Sequence, residues 1–553
     1  MKFFLQILRL ISLIGGGDIE RKTVLAALVL AMFVLVIDTT IMNVSIYMLI
    51  EDFDTDVATV QAAITLYSLV MASFMITGGK LGDIIGRKRA FRTGLIIYGT
   101  GSFLTAISPT MVVLFIGWSI LEGLGATLVM PAIQTLVTSN YSGKDRALAY
   151  GILGGIVASA IALGPIIGGW LTTEYTWRLA FGGEVVIVLI LLFLSRYILD
   201  APIETEEKLR LDIIGSIISA LGMGFIVFGI LLAGTYGWWE ARQPFSIGGI
   251  EISPLGLSPT PVLIAAGGII LLCFAIWELH VITLGKMPLV RLDVLKDRRV
   301  TSSIFVQMVQ TILIGGFLFS MALFFQIALG LNAMQTGFLY LPLSIPLLIA
   351  SLTASRLSAR IAPKRIIQVG LLVLIAGLLL AITTINVEVK GFALLTGFAL
   401  IGIGVGVIAS QIMNLALSLV VPERTSETAA LMSTSQNLGM AIGTALMGSI
   451  VIVGLVGGVT TLVNDSTVIP ENLKPSVISA VEENARFLSN EELTAILKDV
   501  PPDLSQKVLK INEIARIHGI KASLWGLVIF AIIGIIASIF LPPEILVPSQ
   551  TER

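Results

Sequence analysis

Long apolar runs separated by short polar connections dominate the chain. A run of about 20 apolar residues is long enough to cross a membrane as a helix. On that length the pattern predicts fourteen spanning helices. They lie near 24–49, 58–79, 90–107, 111–138, 146–171, 178–199, 212–236, 261–283, 300–328, 335–357, 364–385, 391–420, 427–458 and 521–542. The ends of the seventh and eighth are the least defined, because Gly, Pro and Trp crowd residues 237–261. The expected class is an all-α integral membrane protein with fourteen transmembrane helices.

Composition agrees with lipid as the solvent. The 553 residues are 56% hydrophobic and 13% charged, with a mean hydropathy of +0.96, whereas soluble domains carry about a quarter charged residues. A net charge of −1 argues against nucleic acid as a partner. The single cysteine, Cys273, excludes an intrachain disulfide and a cysteine-rich metal site. With only His280 and His518, Ser-His-Asp and HExxH chemistry have no residues to draw on, and no enzyme or cofactor is expected.

The connections predict orientation. Glu51, Asp52, Asp54 and Asp56 lie between the first two spans, and Lys80, Arg87, Lys88, Arg89 and Arg92 follow the second. Later connections alternate in the same way: Lys286 to Arg299 is basic, 330–335 carries no base, and Arg356 to Arg365 is basic again. Lys and Arg concentrate on the cytoplasmic side. Both termini are therefore expected in the cytoplasm of a cell with this protein in its cytoplasmic membrane.

Two segments fall outside the predicted bundle. Residues 1–14, MKFFLQILRLISLI, place Lys2, Gln6 and Arg9 on one helical face. With GGG following at 15–17, residues 1–20 read as an interfacial amphipathic helix. The rival is a signal peptide, but Arg9 interrupts its apolar region and no clear cleavage site follows. The segment 460–519 is predicted to be external, with a capping-box pattern at Ser489–Glu492 and a break at Pro501-Pro502. A helical cap over the outer mouth and a solvated hairpin without a function both fit it.

Several motifs carry more than hydropathy. GGKLGDIIGRKR (78–89) closes the second span, combining an acid with a basic cluster and closely spaced glycines. Ordinary cytoplasmic charge would explain the bases, but not the spacing Gly79, Gly82, Asp83, Gly86, Arg87, Lys88. That spacing resembles the motif joining helices 2 and 3 of the major facilitator superfamily, in which the Asp and Arg latch the cytoplasmic ends of two lobes. RLSARIAPKRI (356–366) echoes it, aligning Leu357 with Leu81 and Lys364 with Lys88, but has Ala359 where the first copy has Asp83. Two similar halves fit a repeated six-helix transporter with an inserted helix pair.

The resemblance extends along the chain. ALGPIIGGW (162–170) carries Gly164, Pro165, Gly168 and Gly169 and resembles the antiporter motif of proton-coupled exporters, with Ala160 at its first glycine. Pro165 can kink the helix, and Ala160, Gly164 and Gly168 form a small-residue stripe. VIDTTIMNVSI (36–46), with Asp38 and Asn43, resembles the D-x-T-x-x-N signature of the fourteen-helix drug:proton antiporter branch. WRLAFGGEV (177–185) resembles a further signature of that branch, with Glu184 where relatives carry Asn. In the fourth span, IGWSILEGLG (116–125) keeps the family glycines Gly123 and Gly125. Ser119 replaces the Arg thought to assist proton transfer in relatives, and Glu122 replaces a Gln.

The resemblance implies a major facilitator fold of two six-helix lobes plus two inserted helices. The expected divisions are an N-lobe over 21–205, an inserted pair over 206–290, and a C-lobe over 291–553 that contains the 460–519 loop. An ionised acid at a helix centre costs about 2.5–3.5 kcal/mol on the insertion scale. It escapes this by facing a wet cavity, by pairing with a base or by binding a proton. Asp38, Glu122 and Glu184 are the candidate proton or cation sites. Glu184 has a plain alternative, meeting water or Arg178 near the outer end of its helix.

In this superfamily's fold the first and fourth helices line a central cavity with their C-lobe counterparts, here the ninth and twelfth. Asn43, Trp118, Ser119, Gln307, Gln310, Gln411 and Asn414 are therefore the expected cavity residues. Each Gln/Asn pair at i, i+3 shares a helix face. Carboxylates beside an aromatic ring suit lipophilic cations. The expected function is a monomeric, proton-coupled exporter of amphiphilic or cationic small molecules, with lipid bilayer, substrate and protons as its partners. A lipid or amphiphile transporter with other coupling is the alternative, since the fourth-helix Arg is missing. A receptor or scaffold using the external loop is the alternative of a different class.

Overall fold

A computed structural model describes the chain from Ile19 to Pro543 apart from residues 142, 200–210, 242–244, 248–249, 252–256, 287, 291, 358–359, 386–391, 421–423, 467–470, 472–473, 475–492 and 495–501. A first bundle comprises α1 (Ile19–Val44), α2 (Ile46–Phe53), α3 (Val57–Ile85), α4 (Arg87–Ala106), α5 (Met111–Leu114), α6 (Gly123–Asn140), α7 (Gly143–Glu174) and α8 (Arg178–Leu194). Two helices follow, α9 (Ile213–Tyr236) and α10 (Pro259–Thr283). A second bundle comprises α11 (Arg298–Leu323), α12 (Ala333–Leu339), α13 (Leu341–Leu357), α14 (Pro363–Thr384), α15 (Phe392–Ser418), α16 (Thr425–Asn464) and α17 (Pro502–Ser538).

Helix occupies all fourteen predicted segments. By length and hydropathy, however, eleven of the described helices can cross a membrane, or twelve if the pair α12–α13, bent by 42°, forms one span. The two helices α4 and α7 are not among them. Helix starts follow local chemistry. Asp56 caps α3 by accepting from the Thr59 N–H at 2.8 Å, and Asp212 caps α9 by accepting from the Gly215 N–H at 2.9 Å. Asn332 and Gln335 form a reciprocal capping box at α12.

Three predicted elements differ in detail. The first span is not one helix: it breaks at Ser45, between α1 and α2. The last helix begins at Pro502, well before the expected 521, and α16 runs on to Asn464, so helix takes both ends of the expected 460–519 loop. Hydropathy locates the apolar part of a helix, and the first turns of α17 carry Lys507, Lys510 and Glu513, while Ile511 is buried and Ala515 packs against Gly458 of α16. A small antiparallel hairpin pairs Ser246–Ile247 with Ile250–Glu251, so the Gly/Pro/Trp-rich stretch is not wholly irregular. Residues 1–18, most of the expected interfacial helix, and most of 467–501 lie outside the described residues.

The two bundles meet along two seams, α3 against α16 and α7 against α12 and α13. Glycines allow the second. A methyl on Gly337 would stand 2.2 Å from the Pro165 carbonyl oxygen, and one on Gly169 would stand 2.4 Å from that of Ala333. Of the inserted pair, α9 packs outside the first seam, against α3 and α16, and α10 packs on α9. Burial follows these places: 94% of the apolar window in the α11 span is buried but only 11% of that in α10, which leaves Ile269, Leu272 and Ile276 exposed as a lipid-facing surface.

Candidate functional site

The fourth span opens as α5, passes through a π-helical stretch over Phe115–Glu122 and resumes as α6. One residue more per turn re-aims every side chain that follows, and such stretches concentrate at functional sites. Glycines make room for it. A methyl on Gly101 of α4 would stand 2.5 Å from the Gly117 carbonyl oxygen and 2.7 Å from Glu122 Cγ, and one on Gly125 would stand 2.6 Å from Tyr98 N. Glu122 therefore faces the interior of the first bundle against α4, and it is fully buried.

Asp38, Glu122 and Glu184 come together there. Each offers a carboxylate oxygen within 4.8 Å of the other two, and all three are buried. The Trp118 indole donates to Asp38 Oδ1 and Oδ2 at 3.0 and 3.1 Å, tying the π-helical stretch to α1. Tyr67 stacks on Trp118 with ring centroids 5.0 Å apart. Glu184 Oε2 accepts from the Tyr98 hydroxyl at 3.1 Å and from Ser102 Oγ at 3.2 Å. Both oxygens of Glu122, Oε1 of Glu184 and the Tyr67 hydroxyl have no hydrogen-bond partner among the described residues. Among the described residues, none of the three acids is in an ion pair. This corrects the plain alternative for Glu184. Its helix turns it towards α4, while Arg178, two turns earlier, pairs with Asp52 at 2.5 Å and donates to the Ser108 carbonyl at 3.1 Å.

Ser119 is buried and donates to the Ala63 carbonyl at 2.9 Å, which ties the fourth span to α3. Asn43, two residues before the Ser45 break, donates to the Thr39 carbonyl at 2.9 Å. In the second bundle Gln307 donates to Gln310 at 3.3 Å, Gln411 donates to Ser410 Oγ at 3.1 Å, and Asn414 is exposed. The carboxylates draw their hydrogen bonds from Trp118, Tyr98 and Ser102, all in the first bundle, and not from these amides.

Asp83 pairs with Arg87, which also donates to the Gly79 carbonyl at 3.0 Å; Gly86 takes a φ of 95°, which glycine adopts freely. Lys88 reaches the Arg196 carbonyl at 3.1 Å. These contacts all lie within the first bundle. Gly164 and Gly168 seat α7 on α1, since a methyl on either would meet Thr40 or Ile41, and Pro165 lies inside α7.

Residues 28–444 match the family model described as the Major Facilitator Superfamily. The chain belongs to that superfamily. Among major facilitator relatives, it is 28% identical over 440 residues to the puromycin resistance protein pur8 of Streptomyces alboniger, covering 79% of this chain and 82% of that one. It is 23% identical over 541 residues to the multidrug transporter protein MdtP of Bacillus subtilis (strain 168), covering 96% and 94%. A solved structure of a bacterial homologue of the human lysosomal transporter Spinster, inward-facing and unoccupied, aligns with a TM-score of 0.60 at 15% identity, covering 97% of this chain and all of that one. The major facilitator chain is therefore a multi-pass membrane transporter with drug-resistance and multidrug proteins among its relatives, and not an enzyme.

Sequence reasoning missed part of the site. Tyr98 and Ser102 stand at i, i+4 on α4 and face the acids, a spacing visible in IIYGTGSF. Tyr67 gave no signal, being one aromatic in an apolar run. Gln326 was also missed, although it is the single amide in ALFFQIALG. It lies in a second π-helical stretch, Phe324–Ala328, and bridges to the first bundle at the Ser45 break.

Proposed function

We propose that this transporter exports lipophilic, cationic compounds in exchange for protons, by rocking of its two lobes about a central site. The observation that supports the reading best is the convergence of Asp38, Glu122 and Glu184 without a base. Three ionised carboxylates buried together would each carry several kcal/mol of desolvation penalty, with mutual repulsion in addition. Protons or a cationic occupant relieve both. Exchange of one for the other is antiport, and Trp118 and Tyr67 offer ring faces to an organic cation.

In this reading the basic-loop end faces the cytoplasm of a cell-membrane protein, with both termini inside. The seams that close the lobes lie toward the acidic-loop end: Gln61 donates to the Thr444 and Ala445 carbonyls at 3.0 Å, and the Met334 N–H donates to Thr173 Oγ1 at 3.0 Å. We read this as the inward-facing state, in which substrate displaces protons; the outward-facing state reverses the exchange. A potential of 100 mV adds about 2.3 kcal/mol per net charge moved. The resistance and multidrug names of the relatives support a drug-like substrate.

Proteoliposomes with an imposed pH gradient test the reading. Export of a lipophilic cation should follow the gradient in the native protein and lose that dependence in Asp38→Asn and Glu122→Gln. Full gradient dependence in both variants would remove these acids from coupling. A second reading, a carrier of amphiphiles with different coupling, draws on Ser119: the residue at the family Arg position bonds a backbone carbonyl and brings no charge to the acids. Transport of a neutral amphiphile without proton movement would favour it.

A further inference from the structure

The acid cluster has a donor set that a proton alone does not use. Four oxygens point into it without partners: both of Glu122, Oε1 of Glu184 and the hydroxyl of Tyr67. Tyr67 is independent evidence, because it is no acid; it is 1% exposed, and its hydroxyl lies beside the Asp38 carboxylate without completing a hydrogen bond.

We propose that Asp38, Glu122 and Glu184, with the Tyr67 hydroxyl, bind one hard metal cation of about the size of calcium or sodium. All the donors are oxygens, which disfavours thiophilic metals. Calcium takes about 6–8 oxygen ligands in flexible geometry, whereas magnesium dehydrates reluctantly and usually keeps several waters. A fully buried cage of three carboxylates and a hydroxyl therefore suits an ion that sheds its water more readily than magnesium. Each ligating acid is also held from behind. Trp118 fixes Asp38, Tyr98 and Ser102 fix Glu184, and Gly101 lets α4 close on Glu122. Such supporting bonds orient ligands and tune affinity. The inference concerns the same acids as the proposed proton coupling but rests on their geometry, so the two can fail separately.

The test uses the purified full-length protein in detergent, stripped with chelator. Equilibrium binding of radioactive calcium and sodium is measured together with the unfolding temperature in calcium, sodium, magnesium and choline chlorides at matched ionic strength. One calcium or sodium ion per chain, with a saturable rise in unfolding temperature that magnesium and choline do not reproduce, is the expected result. Glu122→Gln should abolish binding. Tyr98→Phe, which removes only a supporting hydroxyl, should weaken it about 10–100-fold, and Tyr67→Phe should weaken it as well. Exposed Glu51→Gln should leave it unchanged. If Glu122→Gln does not fold, the two phenylalanine variants decide.

Absence of binding at millimolar calcium and sodium, or unchanged affinity in the folded variants, overturns the inference. Proton-driven export in liposomes containing only choline salts, together with no cation binding, would sink this inference and leave the proposed function standing. Cation binding with export indifferent to the pH gradient would do the reverse.

Discussion

The Gln326 side chain of the second bundle spans the break after Asn43 in the first. Its Nε2 donates to the Asn43 carbonyl at 3.1 Å and its Oε1 accepts from the Tyr47 N–H at 3.0 Å. One amide thus satisfies two backbone groups that a broken helix leaves open, and it does so from the opposite lobe.

Gln326→Leu is therefore expected to weaken lobe closure at that end. Two hydrogen bonds of about 0.5–1.5 kcal/mol each make about 1–3 kcal/mol, roughly a 5- to 150-fold change in the ratio of closed to open forms. Distances between spin labels on the 51–56 and 329–332 turns should shift to a longer population. An unchanged distribution would remove Gln326 from the closure.

Trp118→Phe separates two roles of one side chain. The ring that stacks on Tyr67 is kept, while the N–H shared by both Asp38 oxygens is lost. A hydrogen bond to a charged group contributes about 1.5–3 kcal/mol. Folded yield should hold while gradient-driven transport falls at least tenfold. Equal loss of yield and transport would point to a packing role.

The places where the sequence was legible and where it was not have physical causes. Span positions could be read because lipid demands about 20 apolar residues in a row. The acids stood out because charge is rare in such runs. Their convergence could not be read, because it depends on the extra residue per turn over Phe115–Glu122 and on Gly101 letting α4 approach. Neither follows from a 3.6-residue period. The expected link between these acids and Gln307, Gln310, Gln411 and Asn414 came from helix order, which says which helices are neighbours but not which way a π-helical stretch turns its side chains. The α17 start at Pro502 was hidden because polar first turns dilute hydropathy without ending the helix.

Two glycines, one in the site and one beside it, give a contrast. A methyl on Gly101 would meet the Gly117 carbonyl oxygen at 2.5 Å and Glu122 N at 2.8 Å, whereas one on Gly182 meets nothing within 4 Å. Overpacking of this kind costs about 1–3 kcal/mol. Gly101→Ala should lower the unfolding temperature in detergent clearly, and Gly182→Ala should leave it within error. Equal shifts would mean that helix propensity, and not the α4 contact, controls the site.

The inserted pair holds a second buried acid whose partners can be tested without transport. Glu278 of α10 is fully buried; its Oε2 accepts from the Val290 N–H at 3.0 Å, and its Oε1 has no partner. Asp212 stands across Gly215 from it, since a methyl there would lie 2.6 Å from Asp212 Oδ2 and 2.7 Å from Glu278 Oε1. The Asp212 carboxylate is itself held by the Trp277 indole at 2.9 Å and the Gly215 N–H at 2.9 Å. Glu278→Gln keeps an oxygen for Val290 and turns an amide toward Asp212, replacing a like-charge approach with a possible hydrogen bond. Its unfolding temperature should equal or exceed that of the native protein. Glu278→Leu instead orphans the buried Val290 N–H, at a cost of about 1–3 kcal/mol, and should lower it. If Leu proves as stable as Gln, the Val290 bond contributes nothing and Glu278 is held there by something other than this contact.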